Sequence, residues 1–191
     1  LGFTAQAPAK PDRVFRVATA NLWQPAVDTW AARRAALAAA IAAAKPDVLA
    51  LQEVRGAEQD WAAVLGAELT KAGYPMPHHR YLPGVGDHGL GGRAPDGWVE
   101  EGVAILSAHP LNEEREETCA MPPGAASSDR NPRTALGAVV EAPGGRVRVV
   151  ATHLSYDRFQ QCASVRLAAR EPIIFFEPRV AAAAPRSVLG M

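Results

Sequence analysis

The chain has 191 residues, 48% of them hydrophobic, and a formal net charge of zero. This length is typical of one domain. The composition can fill a buried core, so a disordered chain is not expected. The balanced charge provides no long-range attraction to nucleic acid or to an acidic membrane, although it does not exclude a locally charged cleft. No apolar run approaches the roughly 20 residues that a membrane-spanning helix needs.

The first residues predict a tail. Residues 1–12 are rich in Ala, Pro and Lys, and Ala5-Gln6-Ala7 has the small-x-small pattern of a signal-peptide cleavage site. Export is therefore one expectation, and a cytoplasmic protein with an alanine-rich leader is the alternative. Cys119 and Cys162 can form one disulfide or remain separate thiols, and sequence does not decide between these states.

A strand, a helix and a second strand follow the tail. Apolar and other residues alternate from Val14, which predicts a strand that ends at Asn21. A helix capped by Asp28 or Thr29 runs to about Lys45, with an apolar stripe that we assign to the following residues: Trp30, Leu37, Ile41 and Ala44. The continuous apolar run 48–51 predicts a strand buried on both faces, parallel to the first because a helix connects the two.

The rest of the chain predicts a second helix and several further strands. The helix covers about 58–72, with Gly73 as its stop. Its stripe consists of Trp61, Val64, Leu65 and Leu69. Residues 74–98 predict a long loop with a short strand near 80–82, and 102–107 predict a buried strand. A loop follows over 121–132, then a hairpin of 134–141 and 146–154, and one more strand is expected at 173–176.

Three polar residues stand where predicted buried strands end. Asn21 follows Val-Ala-Thr-Ala, Glu53 follows Leu-Ala-Leu-Gln, and His153 follows Val-Val-Ala-Thr. A carboxylate at such a position is costly unless it is paired or binds a metal, and Mg²⁺ prefers oxygen ligands. Taken singly, each residue also has a structural interpretation: a solvated glutamate, a turn-forming asparagine and a satisfied core histidine.

Four sequence blocks resemble, in content and in order, the endonuclease/exonuclease/phosphatase family, which includes deoxyribonuclease I, abasic-site endonucleases, neutral sphingomyelinases and inositol polyphosphate phosphatases. The blocks are Val17-Ala-Thr-Ala-Asn-Leu22, Pro46-Asp-Val-Leu-Ala-Leu-Gln-Glu-Val54, Glu101-Gly-Val-Ala-Ile-Leu-Ser107 and Val150-Ala-Thr-His-Leu154. The resemblance implies a four-layered α/β sandwich, deoxyribonuclease I-like, with two sheets face to face and helices outside. It covers residues 14 to about 169.

The same resemblance implies a metal-dependent hydrolase of phosphate esters and assigns roles to four residues. Glu53 would bind Mg²⁺ or Mn²⁺, Asn21 would lie near the metal and the phosphate, and His153 would contact the scissile phosphate. Arg133 would bind substrate, although a surface arginine is the alternative for it. The substrate would be a nucleic acid, a phospholipid or an inositol phosphate, and no specific protein partner is implied. Six glutamates and one arginine between Glu100 and Glu117 predict a face that repels a phosphate backbone.

The sequence departs from the family beyond His153. The family's Gly-Asp-x-Asn block and its later Asp-His pair are missing. The segment 172–178 stands about where Gly-Asp-x-Asn is expected, and it offers Glu177 but not the motif. We therefore expect an incomplete domain over 13–170, an atypical segment over 171–191, and weak or no turnover, since general acid–base groups typically contribute about 10²–10⁴-fold. The alternatives are a non-catalytic binding or interaction module of the same fold and an unrelated α/β domain.

Overall fold

A computed structural model describes most of the chain. The described residues are 14–22, 28–56, 59–84, 101–119, 133–154 and 174–176, with backbone alone for 28, 29, 117–119 and 174–176. Several sequence predictions lie outside these ranges: the tail, most of the loop after 84, the loop 121–132, the pairing of the cysteines, and the segment after 176.

The first sheet has four strands in the order β1-β2-β4-β3. Its strands are β1 (Val17–Asn21), β2 (Val48–Arg55), β3 (His78–Pro83) and β4 (Glu101–Ser107). β1 and β2 are parallel, with Val17 opposite Val48 and Asn21 opposite Gln52, while β4 runs antiparallel to β2. The predicted parallel pair is confirmed, and so are the predicted strands near 80–82 and over 102–107.

Two helices cover one face of this sheet: α1 (Asp28–Ala44) and α2 (Trp61–Lys71). The carboxylate of Asp60 caps α2 by accepting from the backbone N–H of Ala62 at 2.8 Å, so the described helix begins later than the predicted 58. Gly73 follows the helix with φ +77°, which confirms the predicted stop. In α1, Ala38 is buried and Ala44 is exposed, so the assignment of Ala44 to the apolar stripe was wrong.

The second sheet has four strands in the order β5-β6-β7-β8. Its strands are β5 (Leu111–Cys119), β6 (Arg133–Ala142), β7 (Gly145–Thr152) and β8 (Ile174–Phe176). The hairpin of β6 and β7 and the short strand β8 confirm the sequence predictions. β5 was not predicted, because beyond buried Leu111 its described side chains are exposed and are polar or charged, as is usual for an edge strand.

Two glutamates of β5 pair with arginines. Glu113 forms ion pairs with Arg146 and Arg148, and Glu114 forms one with Arg80. Glu101, which belongs to the same acidic stretch of sequence, lies in the other sheet. The charges of Glu113 and Glu114 are therefore offset by arginines of β7 and β3, and the repulsive face stays a prediction.

The two sheets pack face to face, and this packing confirms the mixed α/β sandwich. Apolar side chains of β2 and β4 meet those of β6 and β7 in one core, which includes Ala50, Ile105, Ala138 and Val149. A second core fills the space between the first sheet and the helices. The described residues thus contain a helical layer and both sheets. Neither described helix has the length and apolarity that crossing a membrane requires.

Asp47 joins three segments at the end of the sandwich where β2 begins. Its buried carboxylate accepts a hydrogen bond from the backbone N–H of Arg16 at 2.9 Å and lies 2.9 Å from Nε2 of His109. His109 therefore has a structural partner. A buried carboxylate paired in this way fixes the start of β1 and β2 and the turn after β4.

Gly102 is required for the close approach of β3 and β4. A Cβ at this position would lie 2.1 Å from the carbonyl oxygen of Leu82 and 2.8 Å from the backbone nitrogen of Gly84. We expect Gly102→Ala to lower the free energy of unfolding by about 1–3 kcal/mol, because backbone atoms must move. Gly144→Ala is the control, since nothing lies within 4 Å of its Cβ. Denaturant unfolding of both variants measures the difference, and equal midpoints would contradict the prediction.

Candidate active site

Polar side chains from four strands meet at one edge of the sandwich. Asn21 ends β1, Glu53 lies near the end of β2, and Glu101 begins β4. His153 directly follows β7. Parallel β1 and β2 end at the same edge, antiparallel β4 starts there, and the face-to-face packing adds β7 from the second sheet. The topology therefore brings together three of the residues selected from the sequence and one that was not.

Glu53 occupies an unusual backbone conformation. Its φ is +54°, and the register between β2 and β4 shifts between Leu51 and Val54, so Glu53 lies in a bulge. A left-handed conformation at a residue other than glycine costs roughly 1–3 kcal/mol and persists only where the surroundings impose it. The neighbouring Gln52 is fully buried, and its Nε2 lies 3.0 Å from Oγ1 of Thr19. This side-chain pair ties β1 to β2 beside the bulge.

The carboxylate of Glu53 is only partly satisfied. Its Oε1 accepts a hydrogen bond from Nδ2 of Asn21 at 2.8 Å. Within the described ranges, its Oε2 is buried and has no hydrogen-bond partner. Burial raises the pKa of Glu53, and the Asn21 hydrogen bond and the charge of Arg133 oppose that rise. An orphaned carboxylate oxygen in a buried position is costly, so this group has the chemistry of a cation ligand.

His153 lies between two carboxylates. Its Nε2 is 3.7 Å from Oε1 of Glu53, and its Nδ1 is 4.0 Å from Oε1 of Glu101. Burial raises the pKa of Glu101 to about 7, and the charge of Glu53 adds to the rise, whereas Arg133 and Arg55 oppose it. Two neighbouring carboxyl groups cannot both ionise at low cost without a cation between or beside them.

Arg133 begins β6 and is half-buried. Its charge lowers the pKa of both Glu53 and Glu101, so it lies within electrostatic range of both carboxylates. The structure therefore positions this arginine at the same edge as Asn21, Glu53 and His153. The other described histidines lie elsewhere: His78 and His79 are in β3, and Nε2 of His79 is 3.3 Å from a carboxylate oxygen of Asp60.

The cluster fits a divalent cation. Glu53, Glu101 and His153 each offer one ligand atom, and these atoms lie within 4.8 Å of one another. Mg²⁺ is usually bound by one or two carboxylates, and imidazole is an additional ligand for softer divalent metals. The buried, partner-free Oε2 of Glu53 is an independent sign that a positively charged group belongs here.

Glu101 was missed as a site residue, although a topological signal pointed to it. It is the first residue of a strand antiparallel to β2, and Glu53 stands near the end of β2. The start of one strand and the end of its antiparallel neighbour occupy the same edge of a sheet. The sequence did not reveal that 101–107 pairs with 48–55, so Glu101 appeared only in a family-like block and in an acidic stretch, without a role in the site.

A sequence profile of the Endonuclease/Exonuclease/phosphatase family matches residues 18–174. The chain belongs to this family. No curated protein matches it significantly in sequence.

Several solved structures share the fold. A family protein from Leptotrichia buccalis has a TM-score of 0.59 and 19% identity over 84% of the chain. One from Beutenbergia cavernae has a TM-score of 0.60 and 26% identity over 82% of the chain. A mannosyl-6-phosphatase from Bacteroides thetaiotaomicron has a TM-score of 0.54 and 15% identity over 82%. The chain covers 65%, 44% and 58% of these structures, so it spans less than two thirds of each.

The raised pKa of Glu101 predicts a pH-dependent stability in the metal-free protein. Folded Glu101 keeps its proton to about pH 7, whereas the unfolded carboxyl loses it near 4.5. The folded state therefore binds more protons in this window, and the free energy of unfolding should fall as pH rises from about 4.5 to 8.

Glu101→Gln should remove this contribution and flatten the pH dependence. At pH 8 we expect the free energy of unfolding of Glu101→Gln to exceed that of the wild type by about 1–2 kcal/mol. The difference is small because the Glu101 side chain is 32% exposed and solvent screens its charge. Urea unfolding with a chelator at pH 5 and pH 8 measures it. Glu116→Gln, an equal charge change on exposed β5, is the control, and the prediction fails if both variants keep the wild-type pH dependence.

Proposed function

We propose that the chain provides the metal-binding residues of a divalent-metal-dependent hydrolase of phosphate esters. The observation that carries this proposal is the convergence of Glu53, Asn21, Glu101 and His153, with three ligand atoms within 4.8 Å. The family supports the reaction class, since its members are nucleases and phosphatases by description. The proposed substrates are those of the sequence analysis: nucleic acid, phospholipid or inositol phosphate.

Each side chain has a distinct task in this proposal. Glu53 holds Mg²⁺ or Mn²⁺ through the oxygen that lacks a partner, while Asn21 fixes the other oxygen by its 2.8 Å hydrogen bond. The bound metal would supply charge stabilisation to the phosphoryl oxygens and lower the pKa of a bound water. Arg133 adds positive charge for an anionic substrate.

His153 orients the phosphate and moves a proton. Imidazole changes its charge near neutral pH, which suits it to both tasks. Its Nε2 and Nδ1 lie 3.7 and 4.0 Å from the carboxylate oxygens of Glu53 and Glu101, which is farther than a hydrogen bond.

Glu53→Gln tests the metal site. In the wild type, Mn²⁺ at about 100 times its dissociation constant should raise the free energy of unfolding by about 2.7 kcal/mol. This corresponds to a rise of roughly 5–10 °C in Tm. Glu53→Gln should abolish this rise. Its metal-free Tm should equal or exceed that of the wild type, because the Oε1 acceptor for Asn21 remains and a buried charge is removed.

Glu113→Gln is the matched control, since Glu113 is an exposed glutamate on β5. It should keep the full Mn²⁺-dependent rise. The metal site is wrong if Glu53→Gln and Glu113→Gln respond alike to Mn²⁺, or if neither the wild type nor the variants respond.

A non-catalytic role is the second candidate, and one sequence observation favours it. Beyond His153, the sequence contains neither Gly-Asp-x-Asn nor an Asp-His pair. We therefore propose low turnover for these 191 residues, tested with bis(p-nitrophenyl) phosphate and p-nitrophenyl phosphate in Mn²⁺. Turnover comparable to the Beutenbergia cavernae relative, abolished by Glu53→Gln, would contradict low activity. Mn²⁺ binding without turnover supports the non-catalytic role.

A further inference from the structure

The bulge in β2 determines on which face of the first sheet the Glu53 side chain lies. Leu51 and Val54 both pack in the core beneath the helices, although side chains three positions apart in a regular strand lie on opposite faces. Between these two residues the register with β4 shifts, so two residues of β2 occupy the place of one. In a regular strand, Glu53 would lie on the helical side together with Leu51.

The bulge instead directs the Glu53 carboxylate toward the second sheet. On β1, Val17 packs against the core between the sheets, so by the two-residue period of a strand Asn21 projects from the same face. Oε1 of Glu53 accepts the 2.8 Å hydrogen bond from Asn21 and lies 3.7 Å from Nε2 of His153, which follows a strand of the second sheet. The left-handed backbone at Glu53 therefore places its carboxylate in the cluster.

A buried side-chain pair holds the residue that precedes Glu53 in the bulge. Gln52 is fully buried, and the hydroxyl oxygen of Thr19 lies 3.0 Å from its Nε2 and 3.2 Å from its Oε1. The backbone carbonyl oxygen of Gln52 also accepts a hydrogen bond from the backbone N–H of Leu22 at 2.9 Å. These contacts connect both the side chain and the backbone of Gln52 to the β1 segment. Because a buried amide without a partner is costly, Gln52 is held in this position.

We propose that Thr19 and Gln52 are positioning residues, whose pairing holds the bulge of β2 and thereby keeps the Glu53 carboxylate in the cluster. A left-handed residue other than glycine persists only where its surroundings impose the conformation, and this pair lies directly before Glu53. The consequence for metal binding rests on the proposed function, whereas the consequence for the backbone does not.

The first test measures Mn²⁺ affinity by calorimetry in two variants of Thr19. Thr19→Val lacks the hydroxyl at almost the same volume, so it should weaken binding by about 10-fold, as is typical when a group that orients a metal ligand is lost. Thr19→Ser keeps the hydroxyl as donor and acceptor, so its affinity should stay within about 2-fold of the wild type.

Ser107→Ala is the matched control for the loss of a buried hydroxyl. Ser107 is fully buried and stands opposite Val48, at the other end of β2 from Glu53. Its Oγ accepts a hydrogen bond from the backbone N–H of His109 at 3.0 Å. Ser107→Ala should therefore lower the free energy of unfolding and leave the Mn²⁺ affinity unchanged. Equal losses of affinity in Thr19→Val and Ser107→Ala would mean general destabilisation and would overturn the positioning role.

A double-mutant cycle tests whether the two residues act as a pair. Gln52→Met removes the amide at similar length, so it alone should also weaken Mn²⁺ binding by about 10-fold. Thr19→Val and Gln52→Met together should cost no more than about 10-fold, since either substitution already breaks the pair. A combined loss of about 100-fold would mean independent effects and would contradict the proposal.

The second test uses crystal structures of the metal-free variants. In Thr19→Val, Glu53 should leave the left-handed region, and Nδ2 of Asn21 should lie more than about 3.5 Å from Oε1 of Glu53, beyond a hydrogen bond. Thr19→Ser should keep both the φ near +54° and the 2.8 Å hydrogen bond. If Thr19→Val does not fold, Gln52→Met provides the same comparison. An unchanged Glu53 backbone and an intact Asn21 bond would overturn the inference.

The two tests separate this inference from the proposed function. If the wild type binds no Mn²⁺ while Thr19→Val loses the bulge in the metal-free crystal, the proposed function fails and the positioning role stands. If the wild type binds Mn²⁺ and folded Thr19→Val binds it equally well, the positioning role fails and the proposed function stands.

Discussion

The carboxylate of Glu53, which lies where the two packed sheets meet, is the constraint on which this edge of the molecule depends. Glu53 stands at the end of a buried strand, in a left-handed conformation, with one oxygen bound by Asn21 and the other buried without a partner in the described part of the chain. Burying such a group costs free energy unless a positive charge compensates it. The charge of Arg133 lowers the pKa of Glu53, Nε2 of His153 lies 3.7 Å from its Oε1, and Glu101 adds a second negative charge that increases the need for a cation.

Much of this arrangement could be predicted from the sequence, because the strands concerned are buried. Continuous apolar runs and their helical connection defined β1, β2 and their parallel pairing, and polar residues at the strand ends then marked Asn21, Glu53 and His153. The order of four sequence blocks supplied the family, which the profile match to residues 18–174 confirms. The functional roles assigned to these residues stay proposals, whereas their convergence at one edge follows from the topology.

The parts that could not be predicted depend on pairing between distant segments. β5 is an exposed edge strand rich in charged side chains, two of which pair with arginines of β3 and β7, so its own sequence shows no apolar alternation. Glu101 acquires its position only through the antiparallel register with β2, and His109 acquires its role only because Asp47 lies 2.9 Å away. The stack of Trp30 and Trp61 likewise joins two helices whose relative placement no local pattern specifies. Local periodicity determines elements, while the contacts that build a site come from tertiary structure.

The central claim is that one divalent cation belongs between the ends of β1, β2, β4 and β7. Anomalous diffraction from crystals equilibrated with MnCl₂ tests this claim most directly, because it locates the metal without reference to activity. The account predicts one dominant peak within roughly 2–2.5 Å of a Glu53 carboxylate oxygen and on the side facing Glu101 and His153. A dominant peak at another part of the surface, or Glu53 and His153 on separate flanks of the molecule, would contradict it.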